Sequence, residues 1–111
     1  MEIVTKKENG IFIVMLKGRL DSQTKNKYEK EILPLIGKKE KDIIIDLSEL
    51  DYISSAGLRM LLVSAKSVKK ASGKIVIHSM KDFIREIFDI SGFSRLFDIV
   101  DNREKALEEF K

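Results

Sequence analysis

Short β-branched runs and helical stripes alternate along most of this chain, and that alternation narrows the folds open to it. Asp42-Ile43-Ile44-Ile45-Asp46-Leu47 and Ile75-Val76-Ile77-His78 are apolar at successive positions. Such runs suit strands covered on both faces. Between them Leu58, Leu61, Leu62, Ala65 and Val68 recur at helical spacing, which predicts a helix from Ser55 to Ser72. Gly73 stands where that helix would stop. Ser79-Met80-Lys81-Asp82 has the pattern of a capping box with Asp in place of Glu. Phe83/Ile84 and Ile87/Phe88 then form a core-facing helical stripe, closed by Ser91-Gly92. Leu96 to Val100 reads as a last strand, and Asp101 as the cap of a final helix carrying Ala106, Leu107 and Phe110.

The N-terminal part differs. Glu2 to Lys6 alternates weakly, and Ile11 to Leu16 is strongly apolar. Asn9-Gly10 between them favours the positive φ angles of a hairpin turn, so the two strands should pair antiparallel. Gly18-Arg19-Leu20-Asp21-Ser22 leads into a helix that Asp21 or Ser22 can cap. Tyr28, Ile32 and Leu35/Ile36 mark its apolar stripe, and Pro34 should end or kink it. Ser48 to Ser54 is a connecting segment. The order is strand, strand, helix, then strand and helix in turn three times. It predicts one α/β domain over residues 1–111: a mixed, mostly parallel five-stranded sheet with four helices.

Composition removes several functional classes. The chain of 111 residues has no cysteine, so disulfides, thiolate nucleophiles and sulfur-ligated zinc are excluded. No acidic residues stand with histidines at metal spacing, and there is no P-loop or G-x-G-x-x-G, so neither metal nor cofactor is expected. No apolar run approaches the ~20 residues of a membrane span. Met1-Glu2-Ile3-Val4-Thr5-Lys6 lacks a secretory signal pattern, which points to the cytoplasm. The net charge of +3 comes from 21 basic and 18 acidic side chains that are interspersed. Neither Lys38-Lys39-Glu40-Lys41 nor Lys66-Ser67-Val68-Lys69-Lys70 carries an interleaved aromatic for stacking on bases, so direct nucleic acid binding is not expected.

The informative stretch is Asp46-Leu47-Ser48-Glu49-Leu50-Asp51-Tyr52-Ile53-Ser54-Ser55-Ala56-Gly57-Leu58. It leaves the carboxyl end of a central strand, where sites in parallel sheets gather, and opens the long helix. The free N–H groups and dipole of that helix start favour negative charge at Ser54 and Ser55. Ser55-Ala56-Gly57 is half of a G-x-S-x-G nucleophile elbow, but Ile53 fills the first glycine position. His78, the only histidine, follows a strand and reads as structural.

Taken together, Asp46-Leu47-Ser48 and Tyr52-Ile53-Ser54-Ser55-Ala56-Gly57-Leu58 resemble the STAS domain of anti-sigma factor antagonists and sulfate-transporter tails. Leu16-Lys17-Gly18-Arg19-Leu20-Asp21, Gly73-Lys74-Ile75 and Ile90-Ser91-Gly92-Phe93-Ser94-Arg95-Leu96-Phe97 extend the resemblance over nearly the whole chain. The resemblance implies a binding module that is not itself an enzyme. The unmodified antagonist binds an anti-sigma factor that is also a serine kinase and so frees the sigma factor. The kinase, which holds the ATP, then phosphorylates the antagonist, and a serine phosphatase resets it. Aligned on Gly57-Leu58, the phosphorylated serine falls on Ser55. Ser54 stands where the family commonly has Asp, as a competing acceptor, and Ala56 stands in for the second hydroxyl residue. Asp21 matches an acidic residue near the phosphorylation site, and Asp46 and Gly57 are further neighbours. Ser54, Ala56, Arg59, Met60 and Val63 are expected at the partner surface. Met60, Val63 and Ser64 read as lying off the buried stripe of the long helix. Two other readings remain open: a scaffolding or sensory STAS module in a signalling complex or beside a transporter, and a domain binding a small anionic or lipidic ligand in the groove beside the long helix.

Overall fold

The computed structural model describes residues 1–111. The strands are β1 (Glu2–Glu8), β2 (Ile11–Leu20), β3 (Asp42–Asp46), β4 (Leu50–Ile53), β5 (Lys74–His78) and β6 (Asp98–Val100). The helices are α1 (Lys25–Glu31), α2 (Ser55–Lys70), α3 (Asp82–Ile90) and α4 (Arg103–Glu108), with a 3-10 turn at Phe93–Leu96. β1 pairs antiparallel with β2 through the Asn9-Gly10 turn, where both residues have positive φ. All other pairings are parallel, in the order β1-β2-β3-β5-β6. The mixed, mostly parallel sheet and the four helices are as the alternation predicts.

The sheet has a sixth strand. Leu50–Ile53, read from sequence as part of a connection, is β4. It is only four residues long, and its burial pattern has two exposed positions between two buried ones, so it carries no alternation signal. Its partner is the far half of β2, which runs to Leu20 and not to Leu16. Phe12–Met15 pair with β3, and Gly18, Arg19 and Leu20 pair with β4. A register shift between Gly18 and Arg19, with Gly18 at φ 95°, lets one strand serve both neighbours.

Side chains of the sheet divide between two faces. Phe12, Val14, Leu16, Ile43, Ile45 and Ile77 pack on one side with Tyr28, Leu58, Leu61, Val68, Ile84 and Phe88 from α1, α2 and α3. Ile11, Ile13, Ile44 and Val76 pack on the other, against Ala106 of α4. The second face is covered by the six residues of α4 and by Phe110 just beyond it.

Helix ends depart from the sequence reading in instructive ways. α1 spans only Lys25–Glu31, and neither Asp21 nor Ser22 is its N-cap; the cap position is Thr24. Asp21 instead bonds the N–H groups of Gln23 and Thr24 in a turn just before it. α2 ends at Lys70, and Ser72, not Gly73, takes the left-handed conformation. Ser72 N–H donates to the Lys69 carbonyl and Gly73 N–H to that of Val68, a Schellman closure. Gly73 is required for a different reason: a Cβ there would lie 2.1 Å from the Lys41 carbonyl oxygen. The expected capping box before α3 does not form, because Lys81 is the cap residue and makes no side-chain bond. Asn102, not Asp101, caps α4 by accepting from Lys105 N–H at 2.9 Å. Leu96, the first residue of the expected last strand, closes the 3-10 turn instead, and β6 starts only at Asp98.

Ser64 is fully buried, against the expectation that it lies off the stripe. Its hydroxyl and that of fully buried Tyr28 are 2.6 Å apart, and Ser64 Oγ also donates to the Met60 carbonyl at 3.1 Å. Burial pushes the Tyr28 hydroxyl far above its ordinary range, so it stays neutral and needs a partner. The buried face of α2 therefore comprises Gly57, Leu58, Met60, Leu61, Ser64 and Val68, with one polar residue in it. Ser64→Ala should cost about 1–3 kcal/mol by orphaning the Tyr28 hydroxyl. Tyr28→Phe added to it should restore part of that loss. Urea unfolding of both single variants and the double variant checks this: additive losses would mean the pair is not coupled.

Candidate functional site

The segment that carries Ser54 and Ser55 is built by two strand ends and a helix start. Arg19 and Leu20 of β2 lie beside Tyr52 and Ile53 of β4. The Ser54 N–H donates to the Leu20 carbonyl at 3.0 Å, which carries the pairing to the last residue before α2. Gly57 sits in the first turn of α2, directly over Leu20. A Cβ on Gly57 would lie 2.4 Å from the Leu20 carbonyl oxygen and 2.9 Å from Ile53. A bare position is thus what allows the helix start to seat on the end of β2. Asp21, next along the chain, comes to the same end of the sheet as Ser54 and Ser55.

The two serines have different chemistry. Ser54 is the N-cap of α2, in extended conformation, and its Oγ accepts from Gly57 N–H at 3.2 Å. Ser55 is the first helical residue and is exposed. It stands at the positive end of a 16-residue helix. Arg59, one turn further and exposed, shares that side of the helix with Ser55.

Asp21 is held in place by a dense set of bonds. Its Oδ1 accepts from the N–H groups of Thr24 and Gln23, each at 3.0 Å, and lies 3.2 Å from the Thr24 hydroxyl. Arg19 Nε approaches its Oδ2 at 3.4 Å. The Thr24 N–H above all, then those of Gln23, the Thr24 hydroxyl and Arg19, hold this carboxylate below its ordinary range. A carboxylate held low in the fold adds stability above its unfolded pKa of ~4 and loses it as pH falls through the folded value. Asp89 is also held low, chiefly by the Ser94 hydroxyl and then by Arg85. Stability should therefore decline below about pH 4, and Asp21→Asn should flatten part of that decline. Urea midpoints at pH 5 and pH 3 test it; an unchanged slope in the variant would show that Asp21 is not a contributor.

The structure sorts the other predicted residues. Ala56 is half-buried, while Arg59 and Val63 are exposed on α2. Met60 is buried at 8% exposure, so it packs in the core and not at the surface; the stripe of α2 is wider than Leu58, Leu61 and Val68 alone indicate. Asp46 is not brought to the serines. It ends β3 on the face shared with Ile44, opposite the face where α2 packs, and accepts from Ser48 N–H at 2.9 Å. Phe83, expected in the core, is 48% exposed; Ile84 and Phe88 supply the buried side of α3.

Sequence reasoning missed the neighbours that β4 brings in. The Arg19 guanidinium lies 4.2 Å from the centre of the exposed Tyr52 ring. Asp51 pairs with Lys81 at 2.6 Å, tying β4 to the start of α3. No signal flagged these, since a four-residue strand leaves too short a pattern to fix its register.

A six-stranded mixed sheet with this strand order, and a serine-rich helix start seated on the end of β2, define a class of protein that the sequence comparisons identify. The chain belongs to the STAS family: the STAS domain model matches residues 2–106. Among its relatives is BtrV of Bordetella bronchiseptica, assigned as an anti-sigma factor antagonist. It is 38% identical over 111 residues, spanning 100% of this chain and 96% of that protein. The fold is shared with a Thermotoga maritima protein assigned as an anti-sigma factor antagonist, at TM-score 0.90 and 20% identity, over 96% of this chain and 92% of that one. It is also shared with the Bacillus cell fate determinant SpoIIAA, solved in its phosphorylated form, at TM-score 0.76 and 17% identity, over 99% and 100% of the two chains.

Proposed function

We propose that this chain is an anti-sigma factor antagonist whose binding is switched off by phosphorylation of Ser55. The carrying observation is the contrast between the serines: Ser54 Oγ is committed to the helix cap, and Ser55 is exposed at the next position. A phosphate on Ser54 would break the cap, whereas one on Ser55 gains from the free N–H groups and the helix dipole. Arg59 stands within i+4 reach to share its charge. The naming of BtrV as an anti-sigma factor antagonist and the existence of SpoIIAA in a phosphorylated form support the same reading.

In this reading residues 1–111 form one STAS domain acting in the cytoplasm as a binding protein, not an enzyme. No helix is long and apolar enough to cross a membrane. The partner is an anti-sigma factor with serine kinase activity, which supplies the ATP, and a serine phosphatase reverses the modification. Ser55, Ser54 and Ala56, with exposed Arg59 and Val63, make the contact surface; Tyr52 with Arg19 stacked on it extends that surface across β4. Release needs no refolding. An interface closed over a neutral hydroxyl must, after modification, desolvate a charge of about −1.5 to −2. Calorimetric titration of the anti-sigma factor into the chain tests the reading. Tight binding that is lost after incubation with ATP supports it, and no binding to any anti-sigma kinase of the source cell would sink it.

A further inference from the structure

The last helix covers its face of the sheet thinly, and a buried histidine lies on that face. His78 ends β5 and points the same way as Val76, toward the layer formed by α4 and Phe110. It is 3% exposed. Of α4 itself only Ala106 is buried. Two ion pairs tie the segment down at its rims: Arg103 with Glu8, and Lys74 with Glu109 at 3.4 Å. All four side chains are well exposed, so these pairs add little.

Hydrogen bonds connect the ring to the start of α4. His78 Nδ1 lies 2.7 Å from the Ser79 hydroxyl, which donates onward to the Asp101 carbonyl at 3.4 Å. Ser79 takes a left-handed backbone, φ 63°, at this point in the relay. With the hydroxyl proton engaged by Asp101, Nδ1 carries the hydrogen of the first bond. Asp101 directly precedes Asn102, the cap of α4. Nε2 is then left with a bare lone pair. It is buried without a partner, the single buried side-chain polar atom of the chain in that state. A bare acceptor is the least costly form such an atom can take; a proton there would be a buried donor and a buried charge at once.

The charges around the ring do not relieve that cost. β3 brings Asp46, the register partner of His78, whose Oδ1 is engaged by the Ser48 N–H. β1 brings Lys6 and Glu8, which pair with each other at 3.8 Å. α4 brings Arg103 and Glu104. β6 brings only Val100 as register partner. Burial is the largest influence and holds the ring below its ordinary pKa; Asp46 opposes it, Arg103 adds to it, and Glu104 opposes it. The opened form, with water at the ring, binds a proton at the ordinary value of ~6.5. The docking of α4 is therefore fully favoured above ~6.5 and is lost progressively as pH falls below it, until the folded value is passed.

We propose that α4 is an acid-released cover: a proton on His78 Nε2 detaches α4 from the sheet and bares Ile11, Ile13, Ile44 and Val76, while the opposite layer with α2 and Ser55 stays folded. The device is independent of the Ser55 switch. Amide hydrogen exchange of the full chain at about pH 7.5 and about pH 5.5, corrected for intrinsic rates, reads it directly. The Ala106 N–H, bonded to the Asn102 carbonyl at 3.1 Å, should lose about tenfold in protection at the lower pH. That is the factor by which an opened ring of pKa ~6.5 is favoured one pH unit below it. Amides of α2 should keep their protection. In His78→Gln, which cannot titrate, the pH effect on α4 should vanish. Because His78 is the only histidine, its ring nitrogens titrate in isolation by NMR of the histidine-labelled chain, which decides the matter even where the variant folds poorly. A ring that titrates at or above ~6.5, equal protection of α4 at both pH values, a loss shared equally by α2, or an undiminished loss in folded His78→Gln would each overturn the assignment.

Discussion

Glutamate in place of Ser55 is expected to weaken binding of the anti-sigma partner by about 100-fold or more, with no loss of folding stability. The effect follows from where the charge falls. Ser55 is the first residue of α2, exposed, with the helix dipole behind it. In the free protein an anion there is favoured by about 0.3–1 kcal/mol, so the melting temperature should hold or rise slightly. In the complex the same anion must be stripped of water or placed against the partner's own charges, at a cost of several kcal/mol. Each 1.4 kcal/mol is tenfold in affinity. Ser55→Ala should bind within about threefold of the wild type, a change of under 1 kcal/mol, and stay bound when ATP is added. Calorimetry and thermal unfolding of both variants decide the matter. Undiminished binding by Ser55→Glu would place the interface elsewhere.

Gly57→Ala should have the largest effect of any single methyl added near the site. Its Cβ would meet the Leu20 backbone oxygen at 2.4 Å, and backbone cannot rotate away. A loss of about 3 kcal/mol is expected, enough to lower the melting temperature of a domain this size by about 10 °C or more. Gly73→Ala is the matched control. Its Cβ would meet the Lys41 carbonyl oxygen at 2.1 Å, at the opposite end of α2. Both variants should be destabilised, but only Gly57→Ala should slow phosphorylation of Ser55 at a temperature where both remain folded. Equal phosphorylation of the two would mean that the seating of α2 on β2 does not position the serine.

What the sequence reveals and hides follows from signal length. β3, β5 and α2 were legible because their apolar patterns are long enough to have a period: Ile43 to Ile45, Ile75 to Ile77, and Leu58 through Val68. β4 was not, since two exposed residues between two buried ones fit a strand, a turn or a loop. Missing it hid why β2 runs on to Leu20, and how Asp21 comes to the end of the sheet where α2 starts. Ser64 was misread because a serine on a helix looks solvent-facing until the buried Tyr28 hydroxyl across from it is known. Met60 went with it. The caps shifted by a residue or more because Asp21, Ser79 and Asp101 are all plausible caps locally. Tertiary contacts decide which is used: Ser79 turns to His78, and Asp21 to the loop before α1. The orphaned His78 nitrogen left no trace in the sequence at all.

Site mapping of the phosphate tests the central claim most directly. The chain and its Ser55→Ala variant are incubated with the partner kinase and ATP, and the modified residue is located by mass spectrometry. A single phosphate on Ser55, absent from the variant and accompanied by release of the partner, is the result expected from an exposed Ser55 beside a cap-bound Ser54. A phosphate on Ser54, on another residue, or on none would contradict it.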